Sequence, residues 1–306
     1  MAAWVTRRVD GPRRLRELVA GPEIVLAPGA YDCLSARLIE AAGFPAVYMT
    51  GFGTAASYLG RPDVGLLGMS EMVDQARRIV QAVDTPVIAD ADTGYGNAIN
   101  VIRTVQAYES AGVAGIHLED QSAPKKCGHM EGKHLVPEAE MVDKVRAAVE
   151  ARRSRDFAII ARTDARAVEG IGRALERAES YRRAGADMLF VEAPESEQEI
   201  ETIAESFRGV PLLFNWAEGG KTPPVGLSRL RDLGFRLVIF PISAVLTAAR
   251  AVADVLTLIK QDGTPRSAMS RMVPFEEFID FLGVQEIRGL EQKFAGRDGL
   301  AGHDKI

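Results

Sequence analysis

The amino-acid sequence predicts an α/β protein whose core is a (β/α)8 barrel, and three observations support that fold class. Eight short apolar runs alternate along the chain with amphipathic helical patterns, which predicts a parallel sheet. The apolar runs show no polar alternation, as is typical of strands that are buried on both faces. Several helical patterns end in glycine, which suits the left-handed position after a helix; Ala111-Gly112 and Ala184-Gly185 are examples. An open, doubly wound sheet is the alternative architecture.

The elements follow one another in a regular order. The predicted strands are Ile24–Ala27, Ala46–Met49, Val87–Ala91, Gly115–Leu118, Ala158–Ala161, Met188–Val191, Leu212–Phe214 and Leu237–Phe240. The clearest helices between them are Ser70–Ala82, Ala98–Ala111, Pro137–Arg152, Ile171–Ala184 and Glu197–Phe207. A helix over Ala244–Lys260 and a helical tail from Phe275 to about Phe294 come last. We therefore expect a single TIM barrel domain over residues 1–306, with a C-terminal helical extension from about residue 261 that is available to pack on a partner subunit.

The composition excludes several classes of protein. The chain has 306 residues, of which 47% are hydrophobic and 26% are charged, and this is typical of a folded globular protein. A net charge of −5 argues against a nucleic-acid binder. No apolar run approaches the roughly 18 residues of a membrane span. Residues Met1–Arg16 lack the apolar segment of a signal peptide, and two cysteines make no disulfide framework. We expect a cytoplasmic protein with no nucleic-acid or membrane partner.

Polar side chains are concentrated where the predicted strands end. They are Tyr48 and Thr50 at the second strand, followed by the backbone N–H groups of Gly51 and Phe52, then His117 and Glu119 at the fourth, Arg162 at the fifth, Glu192 at the sixth and Asn215 at the seventh. In a barrel, the carboxyl ends of all strands meet at one rim, and this rim carries the active site. A metal ion together with an anionic substrate accounts for both signs of charge at the rim.

Two carboxylates at the end of the third strand predict a metal site. Asp90 and Asp92 are spaced by two residues, so in a strand their side chains point to the same side. They repel one another unless a cation lies between them, and Glu119 on the adjacent strand is placed to join them. Oxygen ligands of this kind suit Mg²⁺ or Mn²⁺ rather than Zn²⁺. The alternative is that these carboxylates cap helices or pair with arginines.

A loop over Gln121–Leu135 follows the fourth strand, and its Pro and Gly residues predict irregular structure. Cys127 lies between Lys125 and His129, and neighbouring positive charge lowers the pKa of a thiol. We expect the loop to be mobile without substrate and to close over the site with it, so that the thiol reaches the substrate and water is excluded. The alternative is an ordinary surface cysteine. The other cysteine, Cys33, is predicted to be a small core residue.

Four motifs occur in one order and give the sequence a family resemblance. They are Asp90–Gly96, His117–Gln121, Lys125–His129 and Ala161–Ala165. The sequence from about Leu26 to Lys260 resembles the isocitrate lyase and phosphoenolpyruvate mutase superfamily, closest to its 2,3-dimethylmalate and 2-methylisocitrate lyase branch. The cysteine in the third motif resembles that of the carbon–carbon lyases, whereas phosphonomutases and decarboxylase-like members generally lack it.

The resemblance implies a role for each candidate residue. Asp92 is the main metal ligand, and Asp90 and Glu119 assist, partly through water. The residues that hold substrate are Thr50, Gly51, Phe52, Lys125, Gly128, His129, Arg162, Glu192 and Asn215. The catalytic set is Cys127 as the acid that protonates the product carbon, Tyr48 as a candidate base with a lowered pKa, Arg162 as a bidentate carboxylate clamp, and His117. The chain departs from the family pattern at Thr50, where the family has Ser, and at Phe52, where it has Gly.

The implied reaction is the Mg²⁺-dependent cleavage of a 2-hydroxy dicarboxylate such as 2,3-dimethylmalate into pyruvate, or another 2-oxo acid, plus a carboxylate such as propionate. Leu246 stands where 2-methylisocitrate lyases carry an arginine for a third carboxylate, which favours a dicarboxylate over a tricarboxylate. The segment Asn215–Pro223 also resembles 2,3-dimethylmalate lyases. The main alternative is 2-methylisocitrate cleavage to pyruvate and succinate. Phosphonomutase, oxaloacetate decarboxylase or hydrolase, and a non-catalytic binding barrel are further alternatives. The resemblance also implies a homotetramer, a dimer of dimers with exchanged C-terminal helices.

Overall fold

The structure, a computed structural model that describes residues 9–295, contains a closed barrel of eight parallel strands. The strands are β1 Val25–Ala30, β2 Val47–Met49, β3 Val87–Asp90, β4 Gly115–Glu119, β5 Ala158–Thr163, β6 Met188–Val191, β7 Leu212–Asn215 and β8 Phe235–Phe240. They pair in chain order, and β8 closes the barrel against β1 with Val25 opposite Leu237. The predicted (β/α)8 fold is therefore confirmed, and the open sheet is excluded.

Helices follow the strands on the outside of the barrel. They are α1 Gly11–Ala20, α2 Cys33–Ala41, α3 Gly51–Leu59, α4 Met69–Ala82, α5 Ala98–Ala111, α6 Glu138–Ala151, α7 Ala165–Glu169, α8 Ile171–Arg183, α9 Glu197–Ser206, α10 Leu227–Asp232, α11 Ser243–Asp262, α12 Phe275–Leu282 and α13 Val284–Phe294, with a 3₁₀ helix over Arg266–Arg271. The predicted helices agree with these bounds to within two residues. Cys33 begins α2 and is only half-buried, so the prediction that it is a core residue was wrong.

The apolar runs form strands because both of their faces are buried in separate cores. Ile160 and Phe190 belong to a small core that also contains Leu15 of α1, whereas Ile159 and Leu189 belong to the large core shared with the helices. Successive side chains on a strand point to opposite faces, so one run supplies both cores. This packing accounts for the absence of polar alternation.

Residues 121–135, hereafter the lid, leave and re-enter the barrel at one place above β4. Gln121 and Leu135 pair in a short antiparallel bridge. The backbone N–H of Val136 donates to the carbonyl of Asp120 at 2.9 Å. The two ends of the lid are therefore fixed side by side, and the residues between them extend from this paired base.

The described residues form two units, residues 9–247 and residues 248–295. In the second unit the predicted tail is not one helix, because Gly283 adopts a positive φ of 93° and ends α12 before α13 begins. Apolar side chains of this unit are exposed, among them Val252, Leu256 and Phe275. Between residues 9 and 295, no helix has the length and apolar character needed to cross a membrane.

Candidate active site

A cavity of about 240 Å³ lies at the carboxyl ends of the strands, under the lid. Most of the predicted site residues line it: Tyr48, Thr50, Phe52, Asp90, Lys125, Cys127, Gly128, His129, Arg162, Glu192 and Asn215. The others are Gly51, Asp92, His117 and Glu119, and each lies directly beside one of the lining residues. The structure therefore brings the whole predicted set together at one rim.

The two aspartates of the third strand are brought together by a turn. Strand β3 ends at Asp90, and Asp92 lies beyond it with a positive φ of 48°. The expectation that strand alternation aligns the two side chains was therefore wrong. Instead, the backbone N–H of Asp92 donates to Oδ1 of Asp90 at 2.9 Å. A Cβ at Gly51 would lie 2.4 Å from Oδ2 of Asp90, so glycine at that position leaves room for the carboxylate.

Lys125 of the lid acts as a cation between two buried carboxylates. Its Nζ lies 2.6 Å from Oδ1 of Asp63 and 2.7 Å from Oδ1 of Asp92. Burial disfavours the ammonium, but the negative charges of Asp92, Asp90 and Asp63 raise the pKa of Lys125 well above its ordinary value. Burial raises the pKa of Asp92 to about 6, although Lys125 opposes that shift. Sequence reasoning missed Asp63, because it stands in a loop after α3 rather than at a strand end.

The donor set of the rim fits a hard divalent cation. Both carboxylate oxygens of Glu119 are buried without a hydrogen-bond partner, and burial raises the pKa of this group well above its ordinary value. Among residues 9–295, no group of three or more His, Cys, Asp and Glu side chains is arranged in the structure so that it could hold a metal ion. The oxygens of Glu119, which accept no hydrogen bond, are nevertheless, with the carboxylates of Asp90 and Asp92, the ligand type that Mg²⁺ and Mn²⁺ prefer.

Tyr48 and His117 form a buried pair beneath the cavity. The phenol oxygen of Tyr48 lies 2.7 Å from Nε2 of His117, which in turn lies 3.5 Å from Oδ1 of Asp90. Burial lowers the pKa of His117, so the ring is neutral at pH 7. Burial and the Asp90 charge raise the pKa of Tyr48 well above its ordinary value. Desolvation outweighs the positive charges of Arg162 and Lys125 here, whereas the expected lowering of the tyrosine pKa also requires the metal ion and stays a prediction.

Arg162 projects from β5 with one of its two forks already engaged. Its Nε and Nη2 donate to the two carboxylate oxygens of Asp164 at 2.9 and 3.0 Å. Its Nη1 lies 3.3 Å from Oε2 of Glu119. The edge of the guanidinium formed by Nε and Nη2 is thus occupied by Asp164 and is not free to clamp substrate as expected. The end-on fork is the second N–H group on each of Nη1 and Nη2, which Glu119 and Asp164 do not use, and it remains for a carboxylate.

Thr50 caps the helix that begins at the end of β2. Its hydroxyl oxygen accepts a hydrogen bond from the backbone N–H of Gly53 at 3.2 Å. The N–H groups of Gly51 and Phe52 belong to the first turn of α3, where a helix has no internal acceptor for them. In the described part of the chain, neither group has an acceptor. A helix start of this kind attracts anions, so these two N–H groups suit a substrate carboxylate.

The tip of the lid contacts the carboxyl end of β6 and the loop that follows β7. Asn215 donates to Oε1 of Glu192 at 3.1 Å, and Nε2 of His129 lies 3.4 Å from the same oxygen. The Nδ1 atom of His129 accepts from the backbone N–H of Lys221 at 3.1 Å. A Cβ at Gly128 would lie 2.2 Å from Oε1 of Glu192, so the lid reaches this close only with glycine at its tip.

Cys127 is the thiol that the lid brings to the cavity. Its backbone N–H donates to the carbonyl of Asp63 at 3.2 Å. Burial raises the pKa of the thiol, with further contributions from Asp63 and Glu192. The expectation that neighbouring lysines lower this pKa was wrong, because the Lys125 ammonium is turned toward carboxylates and Lys126 donates to the carbonyl of Glu131. The thiol is therefore protonated at neutral pH, and is an acid rather than a nucleophile.

Comparisons with known proteins agree with this geometry. The family model described as phosphoenolpyruvate phosphomutase matches residues 15–260. A 2,3-dimethylmalate lyase of Eubacterium barkeri is 51% identical over 282 residues, which is 92% of this chain and 97% of that protein. A 2-methylisocitrate lyase of Aeropyrum pernix is 44% identical over 95% of this chain and 94% of its own. A crystal structure of 2,3-dimethylmalate lyase superposes with a TM-score of 0.90 at 38% identity, over 98% of this chain and 100% of that one.

Proposed function

The chain belongs to the phosphoenolpyruvate mutase and isocitrate lyase family, and from this membership we propose that it is a carbon–carbon lyase acting on a 2-alkylmalate. The substrate is a 2-hydroxy dicarboxylate such as 2,3-dimethylmalate, which is cleaved to pyruvate and propionate. The observation that carries the lyase chemistry is Cys127, a protonated thiol that the lid holds against the cavity. The likeness to 2,3-dimethylmalate lyase supports the choice of substrate.

We further propose that Asp90, Asp92 and Glu119 hold a divalent cation, Mg²⁺ or Mn²⁺. When bound, this cation supplies Lewis-acid stabilisation of negative charge on the hydroxyl and the new 2-oxo group. The two buried oxygens of Glu119, which accept no hydrogen bond, support the assignment. Asp63 shares the Lys125 ammonium with Asp92 and is therefore a further carboxylate beside one of these proposed ligands.

Substrate is oriented by groups that the structure leaves available. The N–H groups of Gly51 and Phe52 receive one carboxylate, and the end-on fork of Arg162 receives the other. Tyr48 takes the proton of the substrate hydroxyl as it passes its own proton to Nε2 of His117, 2.7 Å away. This relay avoids a free phenolate, which the high pKa of Tyr48 makes costly. The imidazolium that forms lies 3.5 Å from the Asp90 carboxylate, which stabilises it.

Cleavage then moves the electrons of the C2–C3 bond onto C3. The hydroxyl oxygen becomes the 2-oxo group of pyruvate, and the second fragment leaves as a carboxylate enediolate. Arg162 and Lys125 stabilise the charge on that fragment. Cys127 donates its Sγ proton to C3 to give the carboxylate product, and the proton held by His117 is returned through solvent to restore the thiol. The closed lid excludes water while the enediolate exists.

The lining of the cavity favours a dicarboxylate over a tricarboxylate. The lysine and arginine side chains that line it are Lys125, which is held by Asp63 and Asp92, and Arg162, so neither is left over for a third carboxylate. The remaining wall includes Phe52, Ile242 and Glu218. One carboxylate oxygen of Glu218 is buried without a partner and would repel a third substrate carboxylate. Leu246 does not line the cavity, so it does not explain the preference for a dicarboxylate as expected. Ile242 and Glu218, which do line the cavity, explain it instead.

We expect kcat/KM for 2,3-dimethylmalate to exceed that for 2-methylisocitrate by about 100-fold. The third carboxylate of 2-methylisocitrate would be buried in the cavity without a cationic partner, which costs a few kcal/mol. The assay is pyruvate release by purified protein with Mg²⁺, coupled to lactate dehydrogenase. Oxaloacetate and phosphonopyruvate serve as controls for the other reactions of the family. A preference for 2-methylisocitrate would overturn the proposed substrate and favour the tricarboxylate alternative.

We propose that the protein forms a homotetramer, a dimer of dimers, through its second unit. Val252 and Leu256 of α11, Phe275 of α12 and Phe294 of α13 are all more than half exposed, which is unusual for so many large apolar side chains in one short segment. Light scattering at micromolar concentration is expected to give a tetramer, and a double variant Val252→Glu, Leu256→Glu is expected to give smaller species. A monomeric unmodified protein would contradict this assignment.

A further inference from the structure

We propose that Lys133 is the latch of the lid, and that its pairing with Asp164 couples lid closure to the charge of Arg162. The coupling to Arg162 rests on the proposed function, in which Arg162 binds a substrate carboxylate. The latch itself does not depend on which reaction the cavity performs.

The contacts of Lys133 join the tip of the lid to the barrel. Its Nζ lies 2.8 Å from Oδ1 of Asp164 at the end of β5 and also donates to the carbonyl of Gly128. The Lys133 side chain is 1% exposed and the Asp164 side chain is 0% exposed. Breaking a buried pair is costly, because Asp164 would stay in the interior and lose one of its two cationic partners, keeping only Arg162. Opening of the lid would hydrate Lys133 but leave Asp164 behind.

Asp164 cannot follow the lid, because the barrel fixes it. Its backbone N–H donates to Oδ1 of Asp120 at 2.8 Å, and the Thr163 hydroxyl donates to Oδ2 of Asp120 at 2.7 Å. Burial opposes ionisation, but the charges of Arg162 and Lys133 lower the pKa of Asp164 to about 2. The Asp164 carboxylate is therefore negative over the whole neutral range. Whether the latch is closed depends on the position of Lys133 and not on the protonation of Asp164.

The same carboxylate binds both the lid and the substrate clamp. Arg162 donates to both oxygens of Asp164, and Lys133 shares Oδ1 with Nη2 of Arg162. With the lid open, the full negative charge of Asp164 acts on Arg162 alone. With the lid closed, Lys133 neutralises part of that charge, so more of the positive charge of Arg162 is available to a substrate carboxylate. Closure therefore strengthens the clamp when the cavity is sealed.

Lys126 provides a matched control within the lid. It is also a lysine of residues 121–135, but its hydrogen bond runs to the carbonyl of Glu131, another lid residue, and not to the barrel. The substitution Lys126→Met removes the same charge from the same segment without touching the latch. Comparison with Lys133→Met thus separates the loss of one positive charge from the loss of the bond between lid and barrel.

The test measures opening of the lid through the reactivity of Cys127, with no substrate present. Cys33→Ala removes the other cysteine, and Ellman's reagent then reports only Cys127. We expect Lys133→Met to react about tenfold faster than the parent, because local opening becomes easier, and Lys126→Met to react at the parental rate. Equal rates for Lys133→Met and Lys126→Met would overturn the latch. If Lys133→Met does not fold, Asp164→Asn breaks the pair from the barrel side, and an unchanged thiol rate there would overturn it equally.

Kinetics then test the coupling to Arg162. We expect Lys133→Met to raise KM several-fold and to lower kcat, whereas a purely structural effect would lower the amount of active enzyme at constant KM. An unchanged KM would overturn the coupling while leaving the latch to be decided by thiol reactivity. Because the thiol measurement contains no substrate, an incorrect substrate assignment does not affect its outcome.

Discussion

Replacement of Asp92 by alanine is expected to lower turnover at least about 1,000-fold while the barrel stays folded, because the cation would lose its main ligand. Asp92 lies outside the sheet in a turn with a φ of 48°. Alanine disfavours that conformation by about 1 kcal/mol, whereas asparagine adopts it readily. Asp92→Asn is therefore the matched control for backbone strain: it removes the charge at nearly the same shape, and we expect it to be equally inactive but more stable than Asp92→Ala.

The measurements are pyruvate release over a titration of Mg²⁺ and Mg²⁺ binding by calorimetry. Treatment of the unmodified protein with EDTA is expected to abolish activity, and added Mg²⁺ or Mn²⁺ to restore it. Full activity after chelation would show that Asp90, Asp92 and Glu119 serve some purpose other than metal binding. Thermal unfolding of each variant checks that the barrel is intact.

Cys127→Ser is expected to bind substrate with nearly unchanged affinity and to lose roughly 10²- to 10⁴-fold in kcat, the usual range for one general acid. The structure gives the thiol a raised pKa through burial, so the proton is present at neutral pH. A serine hydroxyl fits the same space but is a far weaker acid than a thiol. Cys127→Ala serves as the control that removes the donor entirely, and we expect it to be no more active than Cys127→Ser.

This test compares the effect of Cys127→Ser on kcat with its effect on substrate affinity. Calorimetric affinity for substrate should be similar in the serine variant and the unmodified protein, since Lys125 and Arg162 are untouched. A kcat close to that of the unmodified protein would remove Cys127 from the mechanism. The mutase or decarboxylase alternatives, which do not need this thiol, would then be favoured.

The fold was predictable because it follows from local pattern. Buried parallel strands need continuous apolar runs, and a run such as Met188–Val191 is a strand in the structure with the bounds that its composition predicts. The rim followed from the same reasoning, since parallel strands deliver their next polar residues to one end. Thus Arg162, Glu192 and Asn215 were predictable as neighbours although they are far apart in sequence.

The missing parts of the site depend on contacts that no local pattern encodes. Asp63 reaches the rim from a loop and is recognisable only by its pairing with Lys125. The role of Asp164 in engaging Arg162 and Lys133 depends on where the lid comes to rest. The pKa shift of Cys127 was predicted in the wrong direction, because sequence proximity shows neighbouring charges but not the degree of burial.

The close approach of Gly128 to Glu192 has a consequence for enzyme engineering. Since no side chain fits between the lid and Glu192 at Gly128, the height of the cavity at this point is set by the path of the lid main chain and not by residue choice. Bulkier or smaller substrates must therefore be accommodated by changes in the barrel beneath the lid. Ile239 and Ile242, which line the cavity from β8 and the segment after it, are the positions where libraries would reshape the chamber without disturbing its closure.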